Sequence, residues 1–533
     1  MRFLGSLVLA LGAAAQTPPL EQPYDLVIYG GTSAGVVAGV QAAKQGLRAI
    51  VIEPSAHLGG LSAAGLGATD IGNKDAIGGL AREFYRRVGA HYARAEAWRF
   101  EARETFRSGR QRAGEAEMWV FEPKVAEALF DAWIAEAGVE LVRGDGLERE
   151  RGVKKSGARL EALVLKSGRI VRGRCFVDAT YEGDLLPGAG VRFTVGRESI
   201  ATYGETWNGV QPELDKHQFD LAVDPYRVPG EPKSGLLPEI ASGGPGERGA
   251  GDAKVQAYCF RMCLTDVEEN RLPFPKPASY EAQRYELLAR YFAAGFAKVP
   301  WHSIGMPNRK TDTNNNTAFS TDWIGGSWTW AEASDAERER LFAAHRDYQM
   351  GLLWFLANDP RVPAKVQKEV RRWGLPKDEF VATGGWPHAL YVREARRMIG
   401  PYVMSEQDCV GKRRCDDSVG LAAYTMDSHN VQRYAANGRV WNEGDVQVGG
   451  FPPYPISMRS IVPEEAQCTN LLVPCALSAS HIAFGSIRME PVFMVLAQSA
   501  ASIAAEALAS DLPVQRVDYA KLRTRLLADG QKL

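Results

Sequence analysis

Residues 24–60 read YDLVIYGGTSAGVVAGVQAAKQGLRAIVIEPSAHLGG. An apolar run, Leu26 to Tyr29, enters a glycine-rich turn, Gly30-Gly31-Thr32-Ser33-Ala34-Gly35. Small residues from about Ala34 to Gln45 predict a helix, and Gly46 ends it. A second apolar run, Ala49 to Ile52, stops at an acid, Glu53. Strand, glycine turn, helix, strand and terminal acid together predict a β-turn-α-β unit that holds a dinucleotide. The turn aims backbone N–H groups and the positive end of a helix at a pyrophosphate. Gly35 and Gly39 keep side chains out of the contact between helix and sheet. Thr32 stands where the G-x-G-x-x-G pattern has its middle glycine. Its Cβ narrows the approach, and its hydroxyl is itself a candidate phosphate partner.

Glu53 lies 23 residues after Gly30, the spacing for hydrogen bonds to a ribose diol. An acid there disfavours a 2′-phosphate, so FAD or NAD is favoured over NADP. Pro54 and a glycine pair follow, Gly59-Gly60-Leu61-Ser62, where the chain can pass close to a ligand. Ala63 to Asp75 is again rich in Gly and Ala and extends along the same ligand. A long flavin nucleotide needs that extension, and an enzyme using NAD alone does not. Further on, Lys124 to Ala137 has helical apolar spacing, and Val139 to Val142 reads as a strand. Two alternating runs, Leu160–Leu165 and Arg169–Arg174, predict a β-hairpin. The hairpin leads to Val177-Asp178-Ala179-Thr180 and Gly183-Asp184, a strand end and turn that predict a second contact with the dinucleotide.

With these segments in view, the chain resembles the FAD-dependent oxidoreductases of the two-dinucleotide-binding-fold type. The branch it is most similar to is the one related to the flavin module of heterodisulfide reductase. The glycine turn with Glu53, the Gly59-Gly60 pair and the strand end at Asp178 carry the resemblance, with a C-terminal segment from Asn470 through His481 to Arg488 and a helix from Pro491 to Leu508. The resemblance covers about 24–200 and 420–510. It implies that the last strand and helix close over the isoalloxazine, with Arg488 and Met489 near its pyrimidine edge. It also departs from the pattern. Thr32 replaces a glycine, Ala497 and Ala501 stand where relatives carry glycine, and the iron–sulfur cysteines are absent. The implied fold is α/β, a discontinuous Rossmann-like FAD/NAD(P)-binding domain with an inserted α+β substrate domain. Its parts are 24–200, an insert at 201–420, and 421–533.

The chain has 533 residues, enough for two or more domains, and a net charge of −1. That charge argues against general nucleic-acid binding, which needs a basic excess. Arg2, the apolar Phe3 to Gly12 and Ala13-Ala14-Ala15 predict a signal peptide over 1–16 and an exported, periplasmic or extracellular protein. No stable membrane span is expected. Seven cysteines permit disulfides in such a compartment, with Cys259/Cys263 and Cys409/Cys415 nearest in sequence. No cysteine or histidine spacing fits a metal site.

The middle segment is rich in tryptophan, and Arg309 to Trp323 reads as a polar, turn-rich loop. The indoles suit a sugar or ring substrate, or core packing, and the loop suits a polyhydroxylated or acidic substrate, or a solvated turn. Oxidation of an alcohol or amine needs a base for the departing proton, and histidine fits near neutral pH. His429, His481 and His388 are the candidates, with Arg459 as an anion or carbonyl partner. The reading is an FAD-dependent oxidoreductase taking a hydride from a small polar molecule, with a carbohydrate leading, and passing electrons to an unknown acceptor. The alternatives are an exported flavin protein that transfers electrons or binds a ligand without turnover, and a redox-neutral flavoenzyme such as an isomerase.

Overall fold

The computed structural model describes residues 22–112 and 114–533, so the signal segment at 1–16 lies outside the described residues. The glycine-turn unit forms as its pattern requires: β1 (Tyr24–Tyr29), α1 (Ser33–Lys44) and β2 (Ala49–Glu53). Then come a short α2 (Gly60–Ala63), α3 (Pro123–Ala137) and β3 (Glu140–Arg143). The hairpin region gives β4 (Val153–Ser156), β5 (Arg159–Val164) and β6 (Ile170–Asp178). The order in the sheet is β3-β2-β1-β6-β5-β4. β3, β2, β1 and β6 run parallel, while β4 and β5 are antiparallel additions. Leu26, Val27 and Ile28 are fully buried, as a strand covered on both faces must be.

A later segment returns to this sheet. Leu471 and Leu472 pair in parallel with Phe176 and Val177 of β6. A later helix, Glu490–Ser510, lies along α1, where Gln41 donates to Ser502 at 3.1 Å. That helix is long and apolar enough to cross a membrane, contrary to the expectation that no later segment is, but most of it is buried inside the fold. Ala497 and Ala501 are fully buried in it.

The insert has its own apolar core, drawn from residues between Phe219 and Ala395 with Val440. A three-stranded antiparallel sheet holds β7 (Met262–Thr265), β8 (Trp301–Met306) and a central β9 (Lys310–Asn315). The polar loop expected at 309–323 is therefore in part a buried central strand. Its charges are matched inside the protein. Arg261 binds Asp312 side-on at 2.8 and 2.7 Å. Lys310 donates to Glu122 at 2.7 Å, Asp378 at 2.8 Å and Glu379 at 2.5 Å. This cluster ties the insert to the start of α3. Residues 388–396 are mostly irregular. All seven cysteines are free thiols.

Candidate functional site

The cofactor cradle is built from glycines that nothing larger can replace. Gly30 has φ +102°, and a Cβ there would meet the Ala179 carbonyl carbon at 2.8 Å. A Cβ on Gly35 would lie 1.8 Å from the Gly30 oxygen. Thr32 fits the middle position because its hydroxyl turns away from the groove. It donates to the Ala179 oxygen at 2.8 Å and accepts from the Gly35 amide at 3.2 Å, capping α1. A phosphate bond from that hydroxyl is thus replaced by a structural one.

The amides of Ser33 and Ala34 open α1 and have no intrahelical acceptor. Glu53 is fixed at the end of β2 by the Gly31 amide and the Ser55 amide, each at 2.7 Å. Burial raises its carboxyl above the usual range. A cleft of about 270 Å³ opens here, with Gly30, Glu53, Pro54, Gly60 and Thr180 in its walls. A side-chain-free turn, helix-opening amides and an acid at the ribose distance form a donor set that fits FAD.

Several expected cofactor partners are engaged elsewhere. The Ser33 and Ser62 hydroxyls donate to the Glu490 carboxylate at 2.7 and 3.2 Å. Tyr181 donates to its other oxygen at 2.7 Å and accepts from the Leu61 amide at 2.9 Å. Glu490 was not among the sequence candidates, and its place at the first turn of the last long helix was the available signal. Thr180 donates to Asp178 at 2.6 Å, and Gly183 takes φ +66° in the same turn. Asp184 is the centre of an arginine cage rather than a free cofactor ligand. Arg338 holds it through two bonds of 2.9 Å, and Arg396 and Arg149 approach at 3.1 and 3.4 Å.

A second cluster forms where the two cofactor segments meet the insert. Tyr391 packs against Leu61 and Leu66, just past the glycine pair. The guanidinium carbons of Arg393, Arg261 and Arg488 lie 4.6, 5.7 and 5.7 Å from its ring centre. Arg488 donates to the Tyr391 hydroxyl at 2.7 Å and to the Asp427 carbonyl at 3.0 Å, so it faces this ring. Met489 is buried at the N-cap of the following helix. Asp312 and Asp70 approach Arg261, Asp322 lies 3.0 Å from Arg393, and Asp427 lies 3.2 Å from Arg488. Among the described residues, the buried Nε atoms of Arg393 and Arg488 have no hydrogen-bond partner.

His429 sits within this ring. Its Nδ1 is 2.7 Å from Asp322 and its Nε2 is 3.6 Å from Asp427. Burial pushes Asp427 up, but His429 and Arg488 outweigh it and bring its carboxyl down to about 2. Burial likewise opposes ionisation of Asp322, and Arg393 with His429 holds it well below the usual range.

The other catalytic candidates are placed differently. His481 has both ring nitrogens engaged, Nδ1 by Glu394 at 2.7 Å and Nε2 by the Ser428 hydroxyl at 3.0 Å. His388 stacks on His57, with ring centres 3.9 Å apart, at the nucleotide end of the cleft. Burial, and His57 beside it, push His388 down to about 3, so it is a weak base at neutral pH. Arg459 is a half-exposed side chain paired with Asp416 at 2.8 Å and Asp417 at 2.9 Å, outside both clusters. Sequence reading missed Arg261, Arg393, Asp322 and Tyr391, which come from separate segments that only the fold brings together.

Residues 25–526 match the family described as FAD dependent oxidoreductase. No curated protein matches the chain. Among solved structures, it is similar to THI4 of Thermovibrio ammonificans at 19% identity and a TM-score of 0.23, over 33% of this chain and 66% of that one. The L-amino acid deaminase of Proteus vulgaris gives 14% identity and a TM-score of 0.22, over 31% of this chain and 55% of the deaminase. A triple mutant of the flavin-dependent brominase Bmp2 gives 11% identity and a TM-score of 0.36, over 95% of this chain and 84% of the brominase. The chain thus spans less than two thirds of the length of the first two structures. The family match extends over nearly the whole chain, from the first strand of the cradle to the last helix, and the protein belongs to the FAD-dependent oxidoreductases.

Proposed function

We propose that the protein oxidises a neutral, polyhydroxylated small molecule, with a carbohydrate as the leading class, and that His429 takes the proton released. FAD supplies the hydride acceptor that such chemistry requires. The observation that carries the reading is His429 held between Asp322 and Asp427, beside Tyr391, where the insert meets the glycine-pair segment. With Nδ1–H directed at Asp322, the Nε2 lone pair is left to accept a proton, and Asp427 stands near enough to balance the charge that results. The ring also mixes donors and acceptors. Arg393 and Arg488 offer unpartnered Nε–H groups, and Asp70 and Asp427 keep partly exposed carboxylates. That balance favours a substrate with many hydroxyls over one with a strong net charge. We propose export as well, on the composition of residues 1–16.

The test is anaerobic mixing of the FAD-loaded protein with sugars, polyols, amines and hydroxy acids, followed by loss of visible absorbance. The substrate found should reduce His429→Ala about 10²–10⁴-fold more slowly than wild type, the usual cost of a lost general base. FAD affinity should not change. Equal reduction rates would remove His429 from the mechanism. Reduction by amines alone would replace the substrate class.

A further inference from the structure

A cavity of about 450 Å³ is lined by residues of the insert and by Arg433 beyond it. Trp323, next in sequence to Asp322, and Arg433, four residues past His429, both line it, together with Trp328, Lys254 and Glu239. Its size is that of an ordinary small-molecule site, roughly 300–1,000 Å³. Two of its cations have no acid partner. Arg433 is buried, and its Nε and one Nη are used by the Asn442 side chain at 3.0 Å and the Ala318 carbonyl at 3.1 Å. Among the described residues no carboxylate lies within 4.0 Å of it, and the same holds for Lys254. Lys254 donates to Gln432 at 2.6 Å and sits 5.0 Å from the Trp328 ring centre. Burial lowers the pKa of Arg433 and outweighs the opposing pull of Tyr348 and of the more distant Glu239.

The one acid in the wall is already neutralised, since Glu239 pairs with Arg284 at 2.7 Å. Glu239 also holds φ +66°, a backbone strain that L-residues accept mainly where the surroundings impose it. Buried charge without a partner is costly, so an anion is the natural complement of this cavity. Two half-buried indoles in the same wall, Trp328 and a Trp323 that also packs against Arg284 and Tyr348, add an apolar, ring-shaped preference that a bare inorganic anion does not satisfy. With its Nε and one Nη engaged, Arg433 keeps its other Nη to donate to a carboxylate oxygen.

We propose that this cavity binds an acidic sugar, its carboxylate on Arg433 and Lys254 and its ring against Trp323 and Trp328. The site is separate from the His429 ring and does not rest on what that ring oxidises. The two sites share one wall, through Asp322–Trp323 and the segment from His429 to Arg433.

The test is equilibrium binding to the FAD-loaded full chain, read by tryptophan fluorescence and calorimetry. The probes are D-glucuronate, D-galacturonate and digalacturonate, with D-glucose and inorganic phosphate as comparisons. A uronate should bind saturably and at least about tenfold more tightly than glucose or phosphate, the scale of one charge-assisted hydrogen bond. Lys254→Met should weaken uronate binding by about tenfold, and it removes a half-exposed side chain, so the fold should survive. Arg433→Met should weaken it further if that variant folds. Uronate binding no tighter than glucose overturns the proposal. So does phosphate binding as tightly as uronate, or Lys254→Met binding like wild type.

Discussion

Glu53 shows how a single side chain can serve structure and ligand together. Its two oxygens hold the Gly31 and Ser55 amides, and the same carboxylate faces the cleft. Glu53→Ala should weaken FAD binding by about 1–3 kcal/mol, the range for a charged hydrogen bond, as measured by titrating the apoprotein with FAD. Unchanged affinity would displace the ribose from this residue. Gly35→Ala should cost more, because its Cβ would lie 1.8 Å from a backbone oxygen that cannot move without opening the turn. The expected result is protein purified without flavin. Arg459→Ala is the contrasting case. Its pairs with Asp416 and Asp417 are half-exposed, and such pairs contribute about 0–1 kcal/mol. Flavin content and reduction rate should match wild type. Residues of the glycine turn were legible in the sequence because backbone geometry dictates them. The partners of His429 were not, because Asp322, Asp427 and Arg393 are ordinary charged residues until the fold brings them together.

Elements were legible in proportion to their periodicity. The glycine-turn unit, α3 and the hairpin lie close to where apolar spacing and glycine positions place them. β9 was not legible, since KTDTNN carries no alternation of apolar and polar residues. It is buried through ion pairs instead. Lys310→Met should therefore destabilise the protein by about 3–5 kcal/mol, because Glu122 and Glu379 would lose their buried cation and keep only the more distant, half-exposed Lys124. Chemical denaturation measures this, and a change below about 1 kcal/mol would contradict it. The helix His481–Ile487 is a second element whose role only the structure gives. On one face, His481 bonds Ser428, Gly485 leaves room for the Asp427 backbone, and Arg488 beyond its end bonds Asp427. The helix thus steadies the strand that presents Asp427 and His429. Ser428→Ala should leave FAD binding intact and lower stability by about 1–3 kcal/mol, since it strands a buried imidazole nitrogen.

At the scale of the whole molecule, buried ionised acids set an acid limit. Asp427 and Glu394 are both brought down to about 2, from ordinary values of 3.8 and 4.5. In each, burial resists ionisation, and the groups beside it, His429 and Arg488 for Asp427 and His481 and Arg397 for Glu394, overcome it. An acid whose folded pKa is depressed stabilises the fold above its unfolded pKa and ceases to as pH falls through the folded one. Each should contribute on the order of 2–3 kcal/mol that disappears between about pH 4.5 and 2. Unfolding midpoints measured across that range should fall steeply, and Asp427→Asn should start lower at neutral pH and fall less. A flat acid limb would show that these acids are not ionised in the native state. The long segment between β6 and Leu471 has a consequence in time as well as in space. β6 is flanked by β5 along its first residues, and only Leu471–Leu472 covers the same edge at Phe176 and Val177. A growing chain must complete the entire insert before that edge can close. Until then the half-made sheet carries an open strand margin, ready to capture a neighbouring nascent chain. Synthesis that stalls within the insert should leave polypeptides that aggregate, even though every glycine of the cradle has already been made.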